Sequence, residues 1–347
     1  MPEDQESQIL AAWRGGVATP LKSRSGESAH GHPPREGSSH HNEMKLVSWN
    51  VENVLRCLPA LREITKGLGQ PDVLCLQELR IRRQDEDAIR MLEGGLPGYQ
   101  CHYSLARDPR NVTFRGGRMY GVATYSHGRW RAEVPSWDRE GRVVVLRRRG
   151  LSVINVYAVN GTAKPYFDEA GGVQGDRHEY KRRFQAAVMD LGRALNRAGG
   201  VMIAGDWNVC RGVLDTHPRL RTETPHSRAR AELNDRLTAD GFVDIWRERH
   251  PDERAYTWFN PRARTLDAAR VDYILVSKNI VSRVRAADIL GLLPWSDHAP
   301  VRLELADDIS NRNVSEVEQK HLNGHAADGH AAASPAAQSV LKAKGFE

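Results

Sequence analysis

Trp295-Ser296-Asp297-His298-Ala299-Pro300-Val301 and, about ninety residues upstream, Gly205-Asp206-Trp207-Asn208 are the stretches on which the fold turns. Each sets an acidic residue and a second polar group against an apolar run of strand type, Val301-Arg302-Leu303 in one case and Val201-Met202-Ile203-Ala204 in the other. A strand end is where a fold can hold a carboxylate rigidly at the mouth of a sheet. Two more clusters repeat the design: Val47-Ser48-Trp49-Asn50-Val51-Glu52 and Val73-Leu74-Cys75-Leu76-Gln77-Glu78. Four strand ends carrying Asn, Glu, Asp and His point to a divalent-metal phosphoesterase site.

Outward from these clusters the chain alternates strand and helix patterns. Met44–Trp49 reads as a strand, and Val54–Leu68 has apolar residues at helical spacing (Leu55, Leu58, Leu61, Ile64, Leu68). Val73–Leu76 reads as a buried strand and Arg82–Leu92 as a helix. Further strands are predicted around Gln100–Leu105, Tyr120–Tyr125, Arg142–Leu146 and Leu151–Tyr157, then a long Gly-containing loop over 160–176. Helices at Glu179–Asn196 and Arg228–Asp240 alternate with Val201–Ala204 and Val243–Trp246, and strands at Asp272–Val276 and Val301–Leu305 close the series. Strands outnumber helices, and helices fall between strand runs. The expected fold is α/β: a four-layer α/β sandwich of two packed mixed β-sheets flanked by helices.

Both ends differ from this body. Residues 1–43 are rich in Gly, Ser, His, Pro and charge, and 307–347 in Ala, Gly and His, so both are expected to be disordered around one catalytic domain over 44–306. Each tail holds four Lys/Arg against six Asp/Glu, which leaves residues 44–306 at net +10 while the whole chain is +6. A basic body suggests a polyanionic partner such as nucleic acid. No stretch approaches the apolar length of a membrane span, and Pro2-Glu3-Asp4-Gln5-Glu6 is no export signal, so a monomeric intracellular protein is expected, in bacterial cytoplasm or a nucleus. Cys57, Cys75, Cys101 and Cys210 are scattered, with no ligand pairs for zinc.

From residue types alone, the candidates for chemistry are Asn50, Glu52, Glu78, Asp206, Asn208, Asp272, Asp297 and His298, all near predicted strand ends. Mg²⁺ and Mn²⁺ take oxygen ligands, and Glu78, directly after an apolar run, is a good primary ligand. His298 can act as a base or hydrogen-bond a phosphate oxygen.

Ser48-Trp49-Asn50-Val51-Glu52, Leu76-Gln77-Glu78, Asn155-Val156-Tyr157, Gly205-Asp206-Trp207-Asn208, Val271-Asp272-Tyr273 and Ser296-Asp297-His298 together resemble the exonuclease III family of apurinic/apyrimidinic endonucleases, within the wider endonuclease/exonuclease/phosphatase superfamily. The resemblance covers roughly Met44–Leu305. It implies a Mg²⁺-dependent DNA repair phosphodiesterase, with Mn²⁺ as the alternative ion, cutting double-stranded DNA 5′ to abasic sites, with 3′–5′ exonuclease or 3′-phosphatase activity at 3′-blocked ends as companions. It also implies roles. Glu78 is the main metal ligand, with Asn50, Glu52 and Asp297 nearby. Asp206 orients or deprotonates the attacking water, supported by Asn208. His298, oriented by Asp272, sits against the scissile phosphate. Tyr157 contacts a phosphate oxygen beside Asn160, Trp258 lines the pocket for the flipped-out sugar, Arg270 belongs to the substrate side, and Arg80 steadies the metal carboxylates.

Four features depart from the family pattern. Glu52 stands where Asp is usual, Asn53-Val54-Leu55-Arg56 replaces a Gly-Leu-Arg, Ala269-Arg270-Val271 replaces a Trp-Arg-Leu, and the loop Thr162–Gly175 is long. These leave open the same chemistry on another substrate: RNA, tyrosyl-DNA or a phosphoinositide. A non-catalytic DNA-binding protein on the same fold would need a lost ligand, and every expected position carries a competent side chain.

Overall fold

The computed structural model describes residues 43–111 and 120–306; the two expected disordered tails lie outside the described residues, except that Glu43 opens the first strand. The strands of the larger sheets begin with β1 (Glu43–Asn50), β2 (Val73–Gln77), β3 (Gln100–Ser104), β4 (Val122–Ser126), β5 (Arg131–Glu133), β6 (Val143–Arg148) and β7 (Leu151–Tyr157). A hairpin of β8 (Pro165–Phe167) and β9 (Val173–Asp176) follows, then β10 (Gly200–Asp206), β11 (Thr216–His217) and β12 (Phe242–Asp244). The last are β13 (Trp258–Phe259), β14 (Ala268–Ala269), β15 (Asp272–Ser277), β16 (Val284–Ile289) and β17 (Val301–Ala306).

Two six-stranded sheets result, in the orders β16-β17-β1-β2-β4-β3 and β12-β15-β10-β7-β6-β5. Each is mixed and built around one parallel pair, β1 with β2 and β7 with β10. Parallel neighbours need a crossover, and helices provide it: Val54–Cys57 and Leu61–Gly67 in the first case, Arg177–Asn196 in the second. The central strands are buried on both faces, which is why they read as near-continuous apolar runs.

Strand alternation sorts these residues between layers. Leu46, Cys75, Val122, Val144, Val153, Met202 and Ile274 meet between the sheets. Their strand neighbours Val47, Trp49, Leu74 and Leu76 face outward under Leu61 and Ile64, and Ile154, Val156, Val201 and Ile203 face outward under Phe184, Val188, Leu233 and Leu237. The four-layer sandwich is therefore present. The same alternation turns Asn50, Gln77, Tyr157, Asp206 and Asp272 toward the space between the sheets at one common edge, and the register pairs Asp206 with both Tyr157 and Asp272. A one-residue slip would point all of them away. Beneath that edge the sheets are stitched by polar side chains: Gln77 Nε2 donates to Ser48 Oγ (3.0 Å) and across to Asn155 Oδ1 (2.8 Å), and Asn155 Nδ2 donates to Ala123 O (2.8 Å).

Several elements differ from expectation. The helix predicted over Val54–Leu68 is broken by a 3₁₀ turn at Leu58–Ala60, where Pro59 removes a backbone donor. The helix predicted from Arg82 starts at Glu86, because the Asp85 carboxylate binds the Arg82 backbone and guanidinium in a tight turn ahead of it. The loop over 160–176 contains the β8–β9 hairpin, clasped at Phe167 by Asn111, which donates to its carbonyl (2.7 Å) and accepts its N–H (2.9 Å). The short β5, β11, β13 and β14 offered too few residues for a period to show, and β16 begins at a bulge that hides its alternation.

Candidate active site

The site lies where the two sheets present their strand ends to each other. Asn50, closing β1, sends its amide across the seam: Nδ2 donates to Glu78 Oε1 on its own sheet and to Asp206 Oδ2 on the other, both at 3.0 Å. Its Oδ1 accepts the Glu52 N–H (2.9 Å). The Asn50 oxygen thus accepts backbone while its nitrogen holds two carboxylates in register.

On the β10 side, Asp206 is buried. Its Oδ1 accepts the Asn208 N–H (2.8 Å), and Asn208 Nδ2 ties Asp206 Oδ2 (3.3 Å) to Ala158 O (2.9 Å). Burial and repulsion from Asp272 push the Asp206 carboxyl well above the usual carboxylate range. Asp272, opposite it on β15, accepts from His298 Nδ1 at 2.8 Å. Burial by itself would lower His298, but the hydrogen bond and charge of Asp272, with Asp206 and Asp297, raise it to about 10. His298 is therefore an imidazolium at neutral pH, with Nε2 turned toward the seam, 3.5 Å from Asn50 Nδ2.

On the β1–β2 side the carboxylates are more open. Arg80 Nη2 binds Glu78 Oε2 at 3.0 Å, and its Nη1 lies 3.6 Å from Glu52 Oε1, whose other oxygen takes Arg56 (3.0 Å). Tyr157, at the end of β7, is buried, and burial, then the Glu78 charge, keeps its phenol protonated. Of the five described non-glycine residues with positive φ, four are here: Glu52 (57°), Glu78 (55°), Arg80 (55°) and Asn208 (53°). The fifth is Gln70. Such backbone is unfavourable for a side chain with Cβ and tends to collect where function demands it.

Trp258 stands at the rim. It bridges the His298 backbone, and its indole N–H donates to Asp297 Oδ2 (3.1 Å). Asn160 is exposed three residues beyond Tyr157, its carbonyl accepting from Lys181 Nζ (3.3 Å). Arg270 departs from expectation. It is 1% exposed, with Nε on Asp215 (2.7 Å) and both Nη on Asp244 (3.1 and 2.7 Å), so every face of the guanidinium is occupied inside the protein and none meets substrate. Three supporting residues were not singled out from the sequence. Thr257 Oγ1 accepts the Val271 and Asp272 N–H groups (3.0 and 3.1 Å), Ser296 Oγ donates to Asn50 O (2.6 Å), and Trp49 Nε1 donates to His298 O (3.0 Å). Ser296 and Trp49 stand within the quoted motifs and Thr257 directly precedes Trp258, and those positions were their signal.

The donor set suits a hard divalent cation. Carboxylate oxygens of Glu78 and Asp206 and a ring nitrogen of His298 all lie within 4.8 Å of one another. Asp297 is pushed upward by burial and by repulsion from Glu52 and Glu78, against the pull of His298, so negative charge is in excess where these carboxylates meet. Oxygen donors under mutual repulsion are what Mg²⁺ or Mn²⁺ relieves.

Residues 47–298 match the endonuclease/exonuclease/phosphatase family. This chain belongs to that family. Among its relatives, the chain is 30% identical to recombination repair protein 1 of Drosophila melanogaster over 75% of its own length and 37% of the relative's. It is 26% identical to the DNA repair nuclease APEX1 of Danio rerio, over 76% and 82%. It spans only 60% of a DNA-(apurinic or apyrimidinic site) endonuclease 2 from Schizosaccharomyces pombe, so the first two curated relatives in its company are much longer proteins, the fly one more than twice the matched length. Among solved structures, the Xenopus laevis APE2 catalytic domain aligns with TM-score 0.61 and 26% identity, over 76% of this chain and 92% of that one. The Neisseria 3′ phosphatase NExo bound to a product DNA hairpin aligns with TM-score 0.57 and 26% identity, over 76% and 99%. These family members carry the two-sheet sandwich described above. No helix among the described residues is long and apolar enough to cross a membrane.

Proposed function

We propose that this endonuclease/exonuclease/phosphatase family chain is a Mg²⁺-dependent DNA repair phosphodiesterase that hydrolyses double-stranded DNA 5′ to abasic sites and trims blocked 3′ ends. The observation that carries the reading is the Asn50 bridge, which holds Glu78 and Asp206 face to face while the Asp272–His298 pair points into the same space. APEX1, a DNA repair nuclease, and NExo, a 3′ phosphatase seen with a product DNA hairpin, support DNA as substrate. So does the net +10 of residues 44–306.

Each residue has a role that its surroundings favour. Asp206, held upward in pKa and fixed by Asn208, takes the proton of the attacking water; a base whose affinity lies nearer neutrality accepts a proton more effectively than an ordinary carboxylate. His298, an imidazolium locked by Asp272, donates to a nonbridging phosphate oxygen and stabilises the charge that builds there. Tyr157 donates to a second oxygen, its phenol protonated by burial. Glu78, with Glu52 and Asp297, would hold Mg²⁺, which when bound neutralises charge on the phosphate and the departing 3′ oxygen. Trp258 supplies an aromatic wall beside Asp297, and across from it on β14 stands Ala269, which leaves room at that wall. An abasic nucleotide lacks stacking and pairing, so its rotation into such a pocket costs least.

The test is a duplex with one tetrahydrofuran abasic analogue, incubated with Mg²⁺ or EDTA and with an Asp206→Asn variant. The analogue cannot undergo β-elimination. Metal-dependent incision immediately 5′ to it, lost in the variant, is the expected result. An intact duplex from protein that still hydrolyses a chromogenic phosphodiester would overturn the substrate while leaving the chemistry.

A further inference from the structure

We infer that Arg142 is a positioning residue for Tyr157, and that the buried group Arg142–Glu140–Arg177 carries the position of the β8–β9 hairpin to that tyrosine. The inference rests on the proposed role of Tyr157 at the phosphate.

Arg142 is 2% exposed, directly before β6, and lies against β7. Its guanidinium carbon sits 4.9 Å from the centre of the Tyr157 ring and 4.1 Å from that of Tyr120, so the cation rests in the corner formed by two tilted rings whose centres are 6.4 Å apart. Nη1 donates to Tyr157 O (3.0 Å) and Ala158 O (3.4 Å). Arg142 therefore holds both the ring and the backbone of the residue that pairs with Asp206 at the strand ends. Its own backbone N–H is fixed by the buried Asp138 carboxylate (2.8 Å).

The guanidinium is fixed in turn. Nε donates to Glu140 Oε2 at 2.6 Å, and Glu140, fully buried, takes both Nη groups of Arg177 (2.7 and 2.8 Å) in a forked pair. Burial alone would raise Glu140, but the two guanidiniums outweigh it and hold the carboxyl below its ordinary value. A buried network of this kind is weak evidence for stability, since apolar residues of similar volume often stabilise as well. What it provides is fixed geometry, here directed at one active-site side chain.

At its far end the group meets the hairpin. The Arg177 N–H donates to Lys164 O (2.9 Å) just before β8, and the Arg177 guanidinium lies 5.5 Å from the Tyr180 ring centre. Tyr180 stacks on Tyr166 of β8 at 3.8 Å and 10°. An unbroken series of contacts thus joins Tyr166 on the surface hairpin to Tyr157 at the seam. Lysine at 142 would keep the charge and lose the flat fork that both stacks and donates along two directions.

The experiment measures kcat and KM on bis(p-nitrophenyl) phosphate, and incision of the abasic duplex in parallel, for Arg142→Lys, Tyr157→Phe, Tyr166→Ala and the doubles with Tyr157→Phe. Tm is followed for each. Arg142→Lys is expected to lower kcat about tenfold with KM nearly unchanged, and to have no further effect once the Tyr157 hydroxyl is gone. Tyr166→Ala, which removes a buried ring of the hairpin and is compared only at temperatures where Tm shows it folded, is expected to show the same dependence with a two- to threefold effect. Equal losses in the presence and absence of the Tyr157 hydroxyl would overturn the inference, as would unchanged kcat in both single variants. The chromogenic diester reports the site whatever its natural substrate, so failure of the duplex arm alone would count against the proposed function and not against this coupling.

Discussion

The two sides of the seam solve opposite problems. On the β1–β2 side, Glu52 and Glu78 sit on positive-φ turns, partly open to solvent, and are held by arginines. On the β7–β10–β15 side, Asp206 and Asp272 are closed off and held by amides, backbone N–H groups and one imidazolium. A cation must reach its ligands, so open carboxylates suit metal capture. A proton-accepting carboxylate gains from burial, which raises its affinity for the proton. One face of the site is built for access and the other for tuned acidity.

The largest expected effect is on the closed side. Asp206→Asn keeps the shape and removes the base, and kcat is expected to fall about 10³-fold with Tm little changed, measured on the abasic duplex. The acid limb of kcat/KM in the wild-type protein is expected well above the ordinary carboxylate range, because the base must be ionised to act and burial raises Asp206; a limb near pH 4 would remove Asp206 from that role. His298→Gln comes next, expected to lower kcat by about 10²-fold, and Asp272→Asn added to it should do little more, since Asp272 acts through the imidazole. Equal and multiplying losses would separate the two.

Arg270 offers a contrast of another kind. Arg270→Ala leaves Asp244 and Asp215 deprived of a buried partner and is expected to cost about 3–5 kcal/mol of stability by denaturant unfolding, with kcat/KM of the remaining folded protein unaltered. A selective loss of DNA affinity instead would return it to the substrate surface. The smallest effect belongs to the open side. Glu52→Asp shortens a carboxylate that shares Arg80, and is expected to shift the midpoint of a Mg²⁺ titration of activity by no more than about tenfold while sparing kcat at saturating ion.

Much of this was legible before any coordinates. The alternation that puts Leu46 inside and Val47 outside also dictates that Asn50, Tyr157 and Asp206 share one face, so strand ends alone marked the seam. Roles that depend on which atom meets which partner were not legible. Asn50 and Asp206 are separated by 156 residues, and no local pattern says that the Asn50 amide would turn its nitrogen to the carboxylates and its oxygen to Glu52. Arg270 stands two residues before Asp272 in sequence, yet it precedes β15 and its side chain leaves on the opposite course, toward Asp215 and Asp244. Neighbours along a chain near a strand end diverge in space, and proximity in sequence misled there.

The four left-handed backbone positions at Glu52, Glu78, Arg80 and Asn208 bear on how such a protein can be improved. Glycine at each would relieve about 1–2 kcal/mol of local strain, against the loss of side-chain bonds made within the site. A laboratory selection for heat tolerance alone would be drawn to these positions and would enrich inert protein. Heat tolerance and turnover therefore have to be selected together in this molecule.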